Sequence, residues 1–141
     1  MRNSAMRFVL SALFFVLLVG LVAHSPAQQP IRIGASLSQT GPYAPFGQTR
    51  LRGYQLCIKH TNEKGGILGR KLELVVEDDQ SQASTAVRIY EKLITQDKVD
   101  AVLGPYSSPI TDAVADVVEK HRMPMVVAAA TPSIFKKGRK F

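Results

Sequence analysis

Two short apolar runs, with a segment of helical periodicity between them, constrain the fold of this chain more than any other feature. The runs are Ala101–Leu103 and Met125–Ala128, and residues 108–121 between them carry apolar side chains at helical spacing. A strand–helix–strand unit pairs its strands in parallel, because the helix returns the chain to the end of the sheet where it began. The sequence therefore predicts an α/β domain with a parallel sheet.

The alternation of strands and helices extends back to residue 31. The predicted strands are 31–35, 71–77, 99–103 and 125–128, and the predicted helices are 48–64, 81–96 and 108–121. A loop rich in glycine and proline, 37–47, joins the first strand to the first helix. This βαβαβαβ order predicts a Rossmann-like open parallel sheet with helices on both faces.

Polar loops follow the third and fourth predicted strands. They are Gly104–Ser108 and Ala129–Thr131. Ligands of open α/β sheets bind at the carboxyl ends of the strands, and the first of these loops also enters a helix whose N-terminus favours a carboxylate. We therefore expect a small anion or carboxylate here. An alternative in which Ser107 or Ser108, and likewise Thr131, serve only as helix caps stays open.

Residue patterns typical of enzymes are weak in this sequence. Asp78 and Asp79 are a carboxylate pair of the kind that binds metals, but their position before Ser81 favours capping of the second helix. Gly65–Gly69 precedes a strand, whereas a dinucleotide fingerprint follows one. Ser133–Lys136 fits Ser-x-x-Lys without the companion motifs, and the three histidines lack metal-ligand spacing. We expect no catalytic residue, no metal and no cofactor.

The beginning of the chain has the pattern of a secretory signal. Arg2 and Arg7 precede an almost continuous apolar run, 8–23, and Ser25–Ala27 supplies small residues for cleavage. An uncleaved membrane anchor is the alternative, but the run is short for a span of about 20 residues. We predict that residues 1–27 are a signal peptide and that the mature chain begins at Gln28.

The cysteine content and the charge exclude two further classes. Cys57 is the only cysteine, so an internal disulfide is excluded and an apolar core must stabilise the domain. Its place beside Ile58 in a helical pattern predicts a buried or half-buried packing residue. The net charge is +7, with a basic cluster at 136–140. An exported chain rarely meets nucleic acid, so we expect that cluster to be a solvated turn.

Several motifs, in order, resemble the leucine/isoleucine/valine-binding proteins, which are periplasmic solute receptors of ABC importers. The matching stretches are Ile33–Ala35, Ser38–Ala44, Gly47, Asn62–Leu72, Asp78, Asp79, Gly104–Ser108 and Ala129–Pro132. The resemblance implies a type I periplasmic binding protein, in which two Rossmann-like lobes joined by a hinge close on the ligand. Residues 28–141 would then be an incomplete N-terminal lobe, and we expect the chain to be a fragment of a longer protein.

The resemblance also implies which residues bind the ligand. The expected ligand-binding residues are Phe46, Tyr106, Ser107, Ser108, Ala129 and Thr131. Ser108, Ala129 and Thr131 would hold the α-carboxylate and help with the ammonium group, and Phe46 would lie against the ligand's side chain. The acidic partner of the ammonium group would come from the second lobe. Tyr106 stands where the family often has a serine or cysteine, so it would reshape the pocket.

The expected function is the solute-binding component of an ABC importer. Its ligand would be an amino acid of branched-chain type or a related small carboxylate, and its partner an ABC permease in the inner membrane. We expect a periplasmic monomer that binds no nucleic acid and is not an enzyme. The alternative is the extracellular sensory ligand-binding domain of a receptor with the same fold, which would need a transmembrane helix downstream.

Overall fold

The structure is a computed structural model that describes residues 28–129 and 131–141. Its elements are β1 (Ile31–Leu37), α1 (Ala44–Glu63), β2 (Leu72–Asp78), α2 (Ala83–Thr95), β3 (Ala101–Leu103), α3 (Ser108–His121), β4 (Met125–Val126) and a 3-10 helix (Pro132–Lys137). The predicted signal peptide, 1–27, lies outside the described residues. Within those residues, no helix combines the length and apolar character that crossing a membrane requires.

The four strands form one parallel sheet in the order β2-β1-β3-β4. β1 pairs with β2 over its whole length and with β3 on its other side, and β3 pairs with β4. The strand order therefore reverses between β1 and β3, which makes that point a topological switch where open sheets bind ligands. The predicted α/β class and parallel sheet are confirmed.

The direction of each crossover decides which face of the sheet each helix covers. Right-handed connections place α1 on one face, and α2 and α3 together on the other, because the path from β1 to β2 runs opposite to the later steps. α2 packs against α3, while α1 packs against β1 and β2. The main core lies under α2 and α3 and contains Ala86, Ile89, Tyr90, Leu93, Val99, Val102, Ile110, Val114, Val117 and Val118.

Helix α1 begins at Ala44, four residues before the predicted start. Pro45 lies in its first turn, where the missing N–H costs no helical hydrogen bond. Gly47 is buried, and a Cβ at this position would lie 1.9 Å from the carbonyl oxygen of Ser38. The glycine therefore allows the helix to approach the loop after β1. As a result Phe46 lies in the first turn of α1, whereas the sequence had placed it in the preceding loop.

Strand β4 is shorter than predicted and ends at Val126. The last backbone bond of its ladder with β3 runs from the N–H of Gly104 to the carbonyl oxygen of Val126, at 2.8 Å. A Cβ at Gly104 would lie 2.5 Å from the side chain of Val127, so glycine lets the two chains approach. The segment after Val126 is thus free of the sheet and lies along the loop after β3.

The prediction that Cys57 is buried or half-buried is wrong, because this thiol is exposed. The sheet covers α1 on one side only. Leu51, Tyr54 and Ile58 of the predicted apolar stripe are partly buried there, and Cys57 lies outside that stripe. Its neighbour Ile58 did not indicate which side of the helix Cys57 occupies, since the side chains of consecutive residues point in directions about 100° apart around the helix axis.

Asp78 and Asp79 hold the loop after β1, so their predicted role as caps of the second helix is wrong. Gln82 occupies the N-cap of α2, and no side-chain bond caps that helix. Asp79 is fully buried and accepts hydrogen bonds from the hydroxyls of Ser36 (2.8 Å) and Ser38 (2.6 Å). Asp78 accepts bonds from the next residues of the same loop. These carboxylates join the end of β2 to the beginning of the loop after β1.

Acid should weaken this junction through Asp78. Burial raises the pKa of Asp78, but hydrogen bonds from the Thr40 hydroxyl and from the N–H groups of Gln80, Gln39 and Thr40 outweigh it and hold the pKa below the ordinary 3.8. A depressed folded-state pKa stabilises the fold above the unfolded-state value, and this contribution disappears as the pH falls through the folded-state value. We expect Asp78→Asn to flatten the loss of stability below about pH 4.

Urea unfolding followed by circular dichroism between pH 7 and pH 2.5 measures this effect. Glu63→Gln is a suitable control, because Glu63 is an exposed carboxylate at the end of α1 that pairs only with Lys59 in the described structure. Equal acid slopes for the wild type and Asp78→Asn would contradict the assignment.

Candidate functional site

A pocket of about 300 Å³ lies at the carboxyl ends of β1, β3 and β4. Its lining consists of Tyr43, Arg50, Tyr106, Ser107, Ser108, Ala128 and Ala129. These residues come from the loop after β1 and from α1, from the loop after β3, and from the segment after β4. The pocket therefore lies at the switch point of the sheet, and its volume is at the lower end of those of small-molecule sites.

The loop after β3 presents a serine in an unusual state. Ser107 has φ of +74°, a left-handed region that costs a residue other than glycine on the order of 1–3 kcal/mol. Its carbonyl accepts hydrogen bonds from the N–H (3.0 Å) and the hydroxyl (2.9 Å) of Thr111, which hold the backbone in place. Strain maintained by such contacts is typical of a binding site.

The hydroxyl of Ser107 is buried and has no hydrogen-bond partner among the described residues. Ser107 occupies the N-cap of α3, yet its side chain makes no capping bond. The interpretation of Ser107 as a side-chain cap is therefore wrong. A buried hydroxyl without a partner costs about 1–3 kcal/mol, so this group favours a polar ligand at the start of α3.

An aromatic cluster forms the wall beside this serine. The rings of Phe46 and Tyr106 stack with centroids 4.5 Å apart and an interplanar angle of 3°. Tyr43 meets Tyr106 edge to face at 5.5 Å. Phe46 is 52% exposed and does not line the pocket, so it supports Tyr106 from outside.

Arg50 brings a positive charge to the pocket, and sequence analysis missed it. Its Nη1 donates to the carbonyls of Pro105 (2.8 Å) and Gly104 (3.4 Å), and its Cζ lies 5.6 Å from the centroid of Tyr106. Burial raises the pKa of Tyr54, one helical turn further on, and Arg50 offsets part of that increase. Arg50 follows Phe46 by four residues, a spacing that places both on one side of a helix. This could have been used only if α1 had been predicted to begin before Gly47.

A chain of hydrogen bonds positions Tyr43 at the pocket. Ser81 donates its hydroxyl to Thr40 O at 2.9 Å and accepts from Tyr43 N–H at 3.0 Å. The N–H of Ser81 in turn donates to Asp79 at 2.9 Å. The buried carboxylate therefore fixes the loop that carries Tyr43, although it lies behind the pocket.

The structure brings four of the six predicted ligand-binding residues together. Tyr106, Ser107, Ser108 and Ala129 line one pocket. Phe46 stacks on Tyr106 without lining it. Thr131 is exposed and lies at the start of the 3-10 helix, where its carbonyl accepts from Ile134 N–H at 3.2 Å, and it is not among the lining residues. Its proposed contact with a ligand stays a prediction.

Comparison with known proteins identifies the family. A family profile described as periplasmic binding protein matches residues 30–139. The chain belongs to the periplasmic binding protein family. This confirms the family that the sequence motifs had indicated.

Curated relatives of this chain include amino-acid-binding proteins. It is 35% identical over 123 residues to a Leu/Ile/Val-binding protein of Rhizobium johnstonii, covering 86% of this chain and 33% of the relative. It is 32% identical to a leucine-, isoleucine-, valine-, threonine- and alanine-binding protein of Pseudomonas aeruginosa, covering 93% and 35%. The chain therefore spans about a third of the length of these relatives.

Solved structures show the same fold. The branched-chain amino acid transporter substrate-binding protein LivJ of Streptococcus pneumoniae, in complex with isoleucine, superposes with a TM-score of 0.75 at 32% identity, covering 78% of this chain and 32% of that one. A solute-binding protein of an ABC transporter from Rhodopseudomonas palustris, in complex with 3,4-dihydroxybenzoic acid, superposes with a TM-score of 0.69 at 27% identity. The match covers 77% of this chain and 29% of that one. Similar chains are thus associated with both amino acids and an aromatic acid.

Proposed function

We propose that this chain is the N-terminal-lobe part of the solute-binding component of an ABC importer, and that its pocket holds a small carboxylate. The unpartnered hydroxyl of Ser107, buried at the start of α3, carries this proposal. The Leu/Ile/Val-binding relatives of Rhizobium johnstonii and Pseudomonas aeruginosa support it. The ligand is an amino acid of branched-chain type or a related small carboxylate.

The carboxylate binds at the N-terminus of α3. The partial positive charge of the helix lies there. Pro109 in the first turn has no N–H to donate, so neighbouring groups must supply the hydrogen bonds to the ligand. The hydroxyls of Ser107 and Ser108, both at the pocket wall, donate to the carboxylate oxygens. A hydrogen bond to a charged group contributes about 1.5–3 kcal/mol, so two such bonds account for selective but weak binding.

A second lobe completes the site. The pocket described here has one wall of protein, whereas small-molecule sites bury about 70–90% of their ligand. We assign residues 1–27 to a signal peptide and residues 28–141 to the first lobe, with the opposite wall and the partner for an ammonium group on a second lobe. The protein then acts in the periplasm as a monomer, delivers its ligand to an inner-membrane permease and catalyses no reaction.

Replacing the unpartnered serine tests the proposal. Ser107→Ala removes a buried hydroxyl that makes no intramolecular bond, so we expect the free energy of unfolding to stay the same or to rise by up to about 1–3 kcal/mol. We expect the affinity for the carboxylate to fall about tenfold, from a wild-type dissociation constant of about 1 mM for this single lobe. Calorimetric titrations with leucine, isoleucine, valine and 4-methylpentanoate measure the affinities.

Ser84→Ala provides the matched control, because Ser84 is exposed in the first turn of α2 and does not line the pocket. Its affinities for the four compounds should equal those of the wild type. If the purified chain binds none of the four compounds, or if Ser107→Ala binds them as the wild type does, the proposed function is wrong.

A further inference from the structure

Arg50 is the charged side chain among the residues that line the pocket. It is half-buried, and no carboxylate of the described residues lies within ion-pair distance of it. The nine ion pairs of those residues all involve other cations. A half-buried guanidinium without a counter-ion makes the pocket wall electropositive, since surrounding protein screens its charge less than water does.

Arg50 also occupies two carbonyl acceptors that an ammonium group could otherwise use on this wall. The carbonyls of Gly104 and Pro105 lie at the end of β3, next to the serines, and Nη1 of Arg50 donates to both. The remaining lining residues contribute hydroxyls, rings and small apolar groups, with no carboxylate. This wall therefore attracts a carboxylate and repels an ammonium group.

We propose that Arg50 selects the class of ligand: an organic carboxylate without an ammonium group, in preference to the α-amino acid of the same carbon skeleton. This inference rests on the proposed function, in which the same pocket holds a small carboxylate. Aliphatic and aromatic acids share the required chemistry. The face of Tyr106, stacked on Phe46 and bordered by the guanidinium, offers a flat surface for either.

Skeleton-matched pairs of compounds isolate the effect of the ammonium group. The aliphatic pair is 4-methylpentanoate and leucine, and the aromatic pair is 3-phenylpropanoate and phenylalanine. Dissociation constants come from two-dimensional ¹H–¹⁵N NMR titrations of the purified chain at fixed ionic strength and pH 7. We expect the acid to bind about tenfold more tightly than its amino acid in at least one pair, the lower end of the effect of a charged hydrogen bond. The pair with the larger preference distinguishes an aliphatic from an aromatic ligand.

Variants at Arg50 distinguish a role in selecting the ligand from a role in supporting the loop after β3. In Arg50→Gln the preference for the acid should disappear, and in Arg50→Lys, which keeps the charge, it should survive in part. Arg52→Gln is the matched control, since Arg52 is exposed on the same helix, donates to Thr49 and does not line the pocket. A residue that only supports the loop would weaken both members of a pair equally and leave their ratio unchanged.

Three outcomes overturn the inference. The amino acids bind as tightly as their acids in the wild type, the preference persists in Arg50→Gln, or Arg52→Gln abolishes it equally. In each of these cases small carboxylates still bind, so the proposed function stands. If none of the four compounds shifts the resonances of the pocket, the proposed function fails and the inference with it.

Discussion

We expect Gly47→Ala to destabilise the protein by about 3 kcal/mol or more, although alanine is the better helix former. The new Cβ would lie 1.9 Å from the carbonyl oxygen of Ser38 and 2.6 Å from its carbonyl carbon. Both atoms are backbone, so the clash is relieved only if α1 or the loop after β1 moves. Because Phe46 and Arg50 lie on the same part of α1, the wall of the pocket would move as well.

Gly53→Ala provides the matched control for this prediction. Gly53 lies in the same helix, and a Cβ there meets no atom within 4 Å. We expect this variant to be more stable than the wild type by about 0.5–1 kcal/mol, because the unfolded chain loses conformational freedom. Urea denaturation of both variants gives the two free energies. Two changes of the same sign would mean that α1 does not approach Ser38 in this way.

We expect Asp79→Ala to cost about 3–5 kcal/mol, a large part of the 5–15 kcal/mol that stabilises an ordinary domain. The substitution leaves the hydroxyls of Ser36 and Ser38 and the N–H of Ser81 without their acceptor inside the protein. It also releases the chain of bonds that reaches Tyr43, so the pocket should lose order before the core does.

Thermal and urea unfolding measure the loss, and Asp116→Ala is the control. The side chain of Asp116 is 78% exposed and pairs with Arg139, so its removal should cost less than about 1 kcal/mol. Asp79→Asn keeps one acceptor oxygen, so its loss of unfolding free energy should lie between those of Asp79→Ala and Asp116→Ala. A cost for Asp79→Ala no larger than that for Asp116→Ala would contradict the role assigned to the buried carboxylate.

The sequence predicted the elements whose signals are local. Helix α3 begins and ends at the predicted residues, Ser108 and His121, because its apolar spacing is regular and Pro124 lies just beyond it. The parallel pairing of β3 with β4 follows from the same segment, since a helix of that length leaves no other connection. That is why four predicted site residues could be placed at one edge of the sheet.

The features that the sequence did not predict depend on residues far apart in the chain. Pro45 and Gly47 resemble loop residues, and only the approach of Ser38 shows that the glycine belongs inside a helix. The hydroxyl partners of Asp79, Ser36 at the end of β1 and Ser38 just after it, lie 43 and 41 residues away, so local sequence indicated only a capping role. Arg50 was missed because its position follows from the start of α1 and its acceptors lie beyond residue 100.

The most direct test of the binding site is a map of NMR chemical-shift changes on the purified chain as 4-methylpentanoate and leucine are added. We predict that the changes concentrate in Gly104–Ser108, in residues 128–129 and around Arg50. The edge formed by Thr85 and Arg88, where a second cavity opens, should not respond. Changes centred on that edge, or none near Ser107 at saturating concentrations, would contradict the account.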